Sequence, residues 1–177
     1  VYEKVPTKVC RDKTGGAPIG TKWVLSNKGD NINFDIRALL VAQEVNHYKD
    51  DQMFAATPPL EAKKALFSWA ARGRRSYRGY SHKLLFIDVR RAQFNADAVG
   101  DIFVRLPPED ALEGHCARLF KCMYGTRDIA ARWEECYTAA LENLGFKRGR
   151  ASACCSYNAR RELKCVVHRD DFTILGP

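Results

Sequence analysis

No stretch of this sequence stays apolar for the ~18 residues that a membrane-crossing helix needs, and no signal-like leader precedes the body. A membrane protein is therefore not expected. The spacing of a metal or disulfide framework is also missing. The seven cysteines, at 10, 116, 122, 136, 154, 155 and 165, are odd in number and include no CxxC pair or His-x-His companion. They read as reduced thiols, which predicts an intracellular protein. No repeat of 20 to 50 residues is present, which excludes solenoids and propellers. Acidic side chains are the minority: 21 Asp+Glu stand against 29 Lys+Arg, for a net charge of +8. That balance suits an anionic partner such as nucleic acid or a nucleotide. Val1 stands where an initiator methionine would be, so a fragment of a longer chain is expected.

What is present suffices for one full-sized domain or two small lobes, since 46% of the 177 residues are hydrophobic. Residues 1–20 carry Pro6, Gly15, Gly16, Pro18 and Gly20 among scattered charges and read as an irregular lead-in. A hairpin follows, with a strand Lys22 to Leu25, a turn at "NKGDN" and a return through Leu39, Leu40 and Val41. Thr57 is a candidate N-cap, with Pro58 and Pro59 in the first turn of a helix that ends at Gly73. A basic link, "RGRRSYRGYSHK", leads into a strand over 84–89, and "DIFVRLPPED" holds another short strand. Ile129, Trp133, Cys136, Tyr137, Ala140, Leu141 and Leu144 recur at helical spacing up to Gly145. "ASACCSYN" and "LKCVVH" read as two strands joined by the polar "ARRE" turn and complete the order, and "FTIL" begins a third element after them. The order β-β-α-β-β-α-β-β predicts an α+β fold.

Two acidic positions interrupt this pattern. Asp88 follows the apolar run Leu84 to Ile87, and Asp170 and Asp171 sit side by side between "CVV" and "FTIL". Carboxylates at the ends of buried strands are costly unless something positive compensates them. Neighbouring strand residues point to opposite faces, so the pair can serve one site only if the chain turns at "HRDD". Asp170 would then lie beside Asp88 on an adjacent strand. Such a cluster repels itself unless divalent cations neutralise it, and magnesium, held by few carboxylates and completed by phosphates, is the natural candidate. The plain alternative is that a lone Asp after a strand caps a turn, and that Asp-Asp pairs occur in ordinary surface turns.

The stretches "TKWVLSNKGD", "RALLVAQEV", "FAATPPLEAKKALFSWAA", "FIDVRRAQFNADAVGDIFVRLPPED", "ARLFKCMYGTRDIAARWEECYTAALENLGFKRG" and "CVVHRDDFTILG" occur in an order that resembles the reverse transcriptase of copia-type LTR retrotransposons, over roughly residues 19 to 176. The resemblance implies the fingers-and-palm part of a right-hand polymerase, with an antiparallel palm sheet packed on helices and the thumb missing. Residues 21–80 would be a fingers-like hairpin and helix, and 81–177 a palm-like region with part of the fingers. Asp88 would be the first catalytic carboxylate, Asp170 the second main metal ligand and Asp171 the supporting one, with the backbone of Val89 adding a carbonyl. The implied cofactor is Mg2+, with Mn2+ as an alternative. The implied reaction joins a deoxynucleoside triphosphate to a primer 3′-hydroxyl on an RNA or DNA template. Partners would include the rest of a Pol polyprotein, with its thumb and RNase H parts, in a cytoplasmic particle or the nucleus.

Other positions carry over from the same resemblance. Lys22 and Arg37 lie where the family sets basic side chains against the triphosphate, the plain reading being a solvated hairpin face. Tyr124 and Gly125 fall in a turn near nucleotide and template, and are otherwise simple turn residues. Trp133 matches a family aromatic, although its helical spacing favours core packing. The link "RGRRSYRGY" alternates basic and aromatic residues as phosphate-tracking, base-stacking segments do, with a solvated loop the favoured reading. The chain also departs from the pattern. Arg169 precedes the aspartate pair, where a guanidinium can compete with a metal for a carboxylate. Gln93 replaces an aromatic that screens the sugar 2′-hydroxyl, and Leu39 and Gln43 replace basic residues. Asp128 and Ala130 replace Gln and Pro. Two readings follow: a polymerase core, or a catalytically inactive, degenerate nucleic-acid-binding fragment of the same element.

Overall fold

The computed structural model describes residues 1–44, 55–73 and 75–177. Val45, Phe54 and Arg74, which belong to the sequence stretches quoted above, lie outside them. The chain divides into two compact units, each built from two separate stretches: Val1–Met53 with Gln93–Arg132, and Phe54–Ala92 with Trp133–Pro177.

The first unit holds strand β1 (Tyr2–Pro6), helix α1 (Thr7–Thr14), a hairpin of β2 (Thr21–Asn27) and β3 (Ile36–Ala42), and strands β5 (Phe103–Val104) and β6 (His115–Leu119). Strands β1, β6 and β5 form one antiparallel sheet in that order. Alternation along β6 feeds two cores: Ala117 and Leu119 join Ala42, Val104 and Met123, whereas Cys116 joins Cys10 and Phe103. The lead-in expected to be irregular is thus a strand and a helix. Its glycines and prolines bound the helix without interrupting it: Pro6 is the N-cap, and Gly15 at φ 70° closes the C-terminus by donating to the Arg11 carbonyl. The partner of β1 lies more than a hundred residues away in β6, so no local pattern announced it.

The second unit holds helix α2 (Leu60–Ala71), strand β4 (Lys83–Asp88), strands β7 (Lys147–Arg148), β8 (Cys155–Asn158), β9 (Leu163–His168) and β10 (Asp171–Gly176), and the greater part of helix α3 (Ile129–Asn143). Its sheet is antiparallel throughout, in the order β4-β10-β9-β8-β7. Leu84, Leu175, Val166 and Cys155 share one face and pack against Leu66 of α2. Phe172, Val167 and Cys165 share the other and pack against Trp133, Tyr137 and Leu141 of α3. The near-continuous apolar runs of β9 and β10 follow from this two-sided burial. Helix α2 starts two residues later than expected: Pro59, not Thr57, is its N-cap, with an extended ψ of 141° and no side-chain capping bond. A proline restricts the residue before it to extended geometry, which keeps Pro58 out of the helix. Among the described residues no helix is long and apolar enough to cross a membrane.

Candidate active site

The two-stranded ends of β4 and β10 meet at an acidic rung. Asp88, the last residue of β4, is the register partner of Asp171, the first of β10, and Asp171 is also paired with His168 of β9. His168, Asp171 and Asp88 therefore form a row across three strands on one face of the sheet. The Val89 N–H donates to the Asp170 carbonyl at 3.0 Å, which makes the next rung the hydrogen-bonded one. Asp88 and Asp171 thus occupy a non-hydrogen-bonded rung, where Cα atoms approach to about 4.5 Å and side chains are closest. Like charges directly opposite destabilise a sheet, yet both carboxylates stand exposed here. The expectation had Asp170 beside Asp88. In the structure Asp171 holds that rung, while Asp170 sits at the tip of the turn and meets β4 through its backbone.

The turn itself is strained. Between His168 and Asp171 stand only Arg169 and Asp170, and Arg169 takes a left-handed φ of 60°. This is the first central position of a tight hairpin, which a glycine fills most easily. The buried indole of Trp133 holds that conformation in place: its Nε1–H donates to the Arg169 carbonyl at 2.7 Å. The same ring meets Tyr137 and Phe172 edge-on, at 5.7 and 6.5 Å between centroids. Trp133 is core, as its spacing predicted, but its polar edge also fixes the aspartate turn. The available signal was that a buried indole N–H needs an acceptor. Beneath the turn the medium is apolar: burial pushes the Cys165 thiol up to about 12 and raises the Tyr137 phenol.

A second tight turn follows Asp88. The Val89 carbonyl accepts the Ala92 N–H at 3.2 Å, leaving one lone pair open, and Arg91 is left-handed at φ 53°. The Arg169 side chain is exposed. Among the described residues no ion pair joins it to either aspartate. Nor does any group of three or more His, Cys, Asp or Glu among those residues have a metal-holding arrangement.

The remaining candidates belong to the first unit. Lys22 and Arg37 share one face of the β2–β3 hairpin, opposite Val41 and Ser26 respectively. Four residues of strand separate their rungs, about 14 Å at ~3.4 Å each. Arg37 has an exposed partner in Asp35 at 3.5 Å, a contact of little energetic weight. Tyr124 packs edge-on against Phe94 at 5.4 Å, and its carbonyl accepts the Ala42 N–H at 2.7 Å. Gly125 is required by space as well as by its φ of 87°: a Cβ there would stand 1.9 Å from the Ala42 carbonyl oxygen. Gln93, in a short 3-10 turn over Ala92–Asn95, has a buried Oε1 with no hydrogen-bond partner among the described residues.

The reverse transcriptase (RNA-dependent DNA polymerase) family matches residues 6–177, nearly the whole chain. The chain belongs to that family, in its copia-type branch. No curated protein and no solved structure matches this reverse transcriptase domain. Membership of this family implies a nucleic-acid template and deoxynucleotide substrates, and a divalent metal as the usual cofactor.

Proposed function

We propose that the carboxylates of Asp88, Asp170 and Asp171 form the catalytic centre of an RNA-directed DNA polymerase, carried by the palm-like second unit, with the β2–β3 hairpin as part of the fingers. The observation that carries this reading is the acidic rung at the shared end of β4 and β10, with a third carboxylate one residue away at the turn tip. Exposed, self-repelling hard oxygen donors suit a cation that takes one or two carboxylates and completes its shell with water and phosphate. Asp88 and Asp170 would hold magnesium or manganese, Asp171 would support them, and the open lone pair of the Val89 carbonyl is a further donor. When bound, the metal pair supplies Lewis-acid polarisation of the phosphoryl group and lowers the proton affinity of the attacking hydroxyl.

The chain's own residues do the rest. The Trp133 bond and the tight turn at Arg169 hold Asp170 and Asp171 at the sheet end, so that little reorganisation accompanies the reaction. By the family resemblance, Lys22, Arg37, Gln93, Tyr124 and Gly125 of the first unit would serve nucleotide binding, Lys22 and Arg37 as positive charge for a triphosphate. The primer 3′-hydroxyl gives up its proton to solvent as its oxygen bonds to the α-phosphorus, the α–β phosphoanhydride bond breaks, and pyrophosphate leaves with the electron pair. Thumb and RNase H parts of a Pol polyprotein would complete the grip on primer and template, in a cytoplasmic particle or the nucleus.

Primer extension on homopolymeric RNA with magnesium or manganese tests the reading. Asp88→Asn and Asp170→Asn are expected to lose activity by a factor of at least ~100, and Asp171→Asn by less, consistent with electrostatic contributions of a few kcal/mol. Extension that survives Asp88→Asn sinks the proposal. The inactive-fragment reading needs Arg169 to neutralise the aspartates, and the absence of that ion pair among the described residues favours the catalytic one. Metal-independent RNA binding without any extension would reverse the preference.

A further inference from the structure

The basic link has no role in the site just described, and the fold carries it elsewhere. The turn over residues 76–80 precedes β4, Arg160 and Arg161 lie in the turn before β9, and Pro177 follows β10. All three segments therefore gather at the end of the strands opposite the aspartates. The six-residue length of β4 separates the two ends by about 17 Å. There they line a cavity of about 320 Å³.

Its construction is specific. The buried Ser76 hydroxyl accepts the backbone N–H groups of Arg78 and Tyr80 at 3.2 and 3.1 Å. The Ser76 N–H donates to the Tyr80 carbonyl at 2.8 Å, and Gly79 donates back to Ser76 at 2.9 Å. This folded turn presents Tyr77 and Tyr80 outward at 70% and 63% exposure. The Arg78 guanidinium lies 5.3 Å from the Tyr77 ring centroid. Glu162, the one acid of the cavity, is engaged inward: it accepts the Tyr77 N–H at 3.0 Å and lies 3.6 Å from His82 Nε2. Among the described residues Arg78, Arg160 and Arg161 have no acidic partner.

We propose that this cavity is a second nucleic-acid contact, in which Arg78, Arg160 and Arg161 bind the phosphodiesters of a single strand while Tyr77 and Tyr80 stack on its unpaired bases. Cationic side chains alternating with aromatic faces are how sequence-tolerant single-strand sites are built. An acidic peptide would use the charge and leave both rings idle. The contact needs no metal and does not depend on the aspartate centre.

Fluorescence anisotropy of the 177-residue chain with a labelled single-stranded 12-mer of RNA, in EDTA, tests it. Replacing Arg78, Arg160 and Arg161 together by Gln is expected to lower the slope of log affinity against log salt by about 2, from ~0.7 per phosphate on single strands. Tyr77→Ala with Tyr80→Ala is expected to weaken binding by about tenfold or more with the slope unchanged. Both sets of side chains are exposed, and an unchanged thermal melt verifies folding. Asp88→Asn with Asp170→Asn is expected to leave binding intact, so failure of the catalytic reading and failure of this one are distinguishable. An unchanged slope in the triple variant overturns the proposal. So does equal affinity for a duplex, or displacement by polyglutamate at concentrations that match the RNA, which would make the cavity a protein-docking site.

Discussion

The β2–β3 hairpin and the β9–β10 hairpin are both antiparallel pairs that carry charged candidate site residues, and they are held in opposite ways. The first is a two-stranded sheet whose apolar side chains stand largely in solvent: Leu25 is 67% exposed, Ile36 58% and Trp23 44%. Its contact with a core lies at the base, through Ala42 and Leu40. The second lies inside a five-stranded sheet with cores on both faces, and Leu175 and Val167 are 1% exposed. An isolated two-stranded hairpin is marginal in water, whereas a doubly covered sheet is not. On the proposed reading, the paired aspartates Asp170 and Asp171 stand at the tip of the firmly packed hairpin, and the basic residues Lys22 and Arg37 stand on the loosely held one.

This contrast can be broken by mutation. The largest expected effect is at Leu175→Ala, which should cost about 2–5 kcal/mol of stability by urea unfolding, because it empties a site filled from α2 and β9. A cost below ~1 kcal/mol would mean that the sheet is not tightly packed. Next comes alkaline pH. The Cys165 thiol is pushed up to about 12 from its usual 9.0 by burial. The unfolded thiol loses its proton near pH 9 while the folded one keeps it, so its stabilisation is complete below pH 9 and is lost as pH rises toward 12. The slope is at most about 1.4 kcal/mol per pH unit. The stability difference between wild type and Cys165→Ala should therefore shrink above pH 9, and a constant difference would refute the burial argument.

A smaller pair of effects tests the turn. Trp133→Phe keeps most of the packing but removes the bond to the Arg169 carbonyl, with an expected loss of about 1 kcal/mol. Arg169→Gly should raise stability by about 1 kcal/mol by releasing the left-handed strain, and in primer extension it would also report whether the guanidinium hinders metal binding. The smallest effect is expected at Leu25→Ala, within ~0.5 kcal/mol. Amides of β2 and β3 should exchange with deuterium far faster than those of β9 and β10. Equal protection of the two hairpins would erase the distinction.

Much of the second unit was legible from pattern alone. Helix α3 showed in the spacing of Ile129, Trp133, Tyr137 and Leu141, and β9 and β10 showed in near-continuous apolar runs either side of a polar turn. Strand β6 was not legible, because His115, Cys116, Ala117 and Arg118 have no strong strand preference and are held in the sheet by β1 and β5. Nor was the partition of the chain into units, since each unit draws on two distant stretches.

The sequence by itself determined the family, the acidic positions and the helices and strands whose faces repeat with a fixed period, because these depend on residues near one another along the chain. Only the tertiary structure decided that Asp171 and not Asp170 faces Asp88, that Trp133 grips the turn between them, and that the basic link joins the "ARRE" turn in one cavity. Strand register and the partner of a buried N–H are set by which distant surfaces pack together, and no local periodicity encodes that choice.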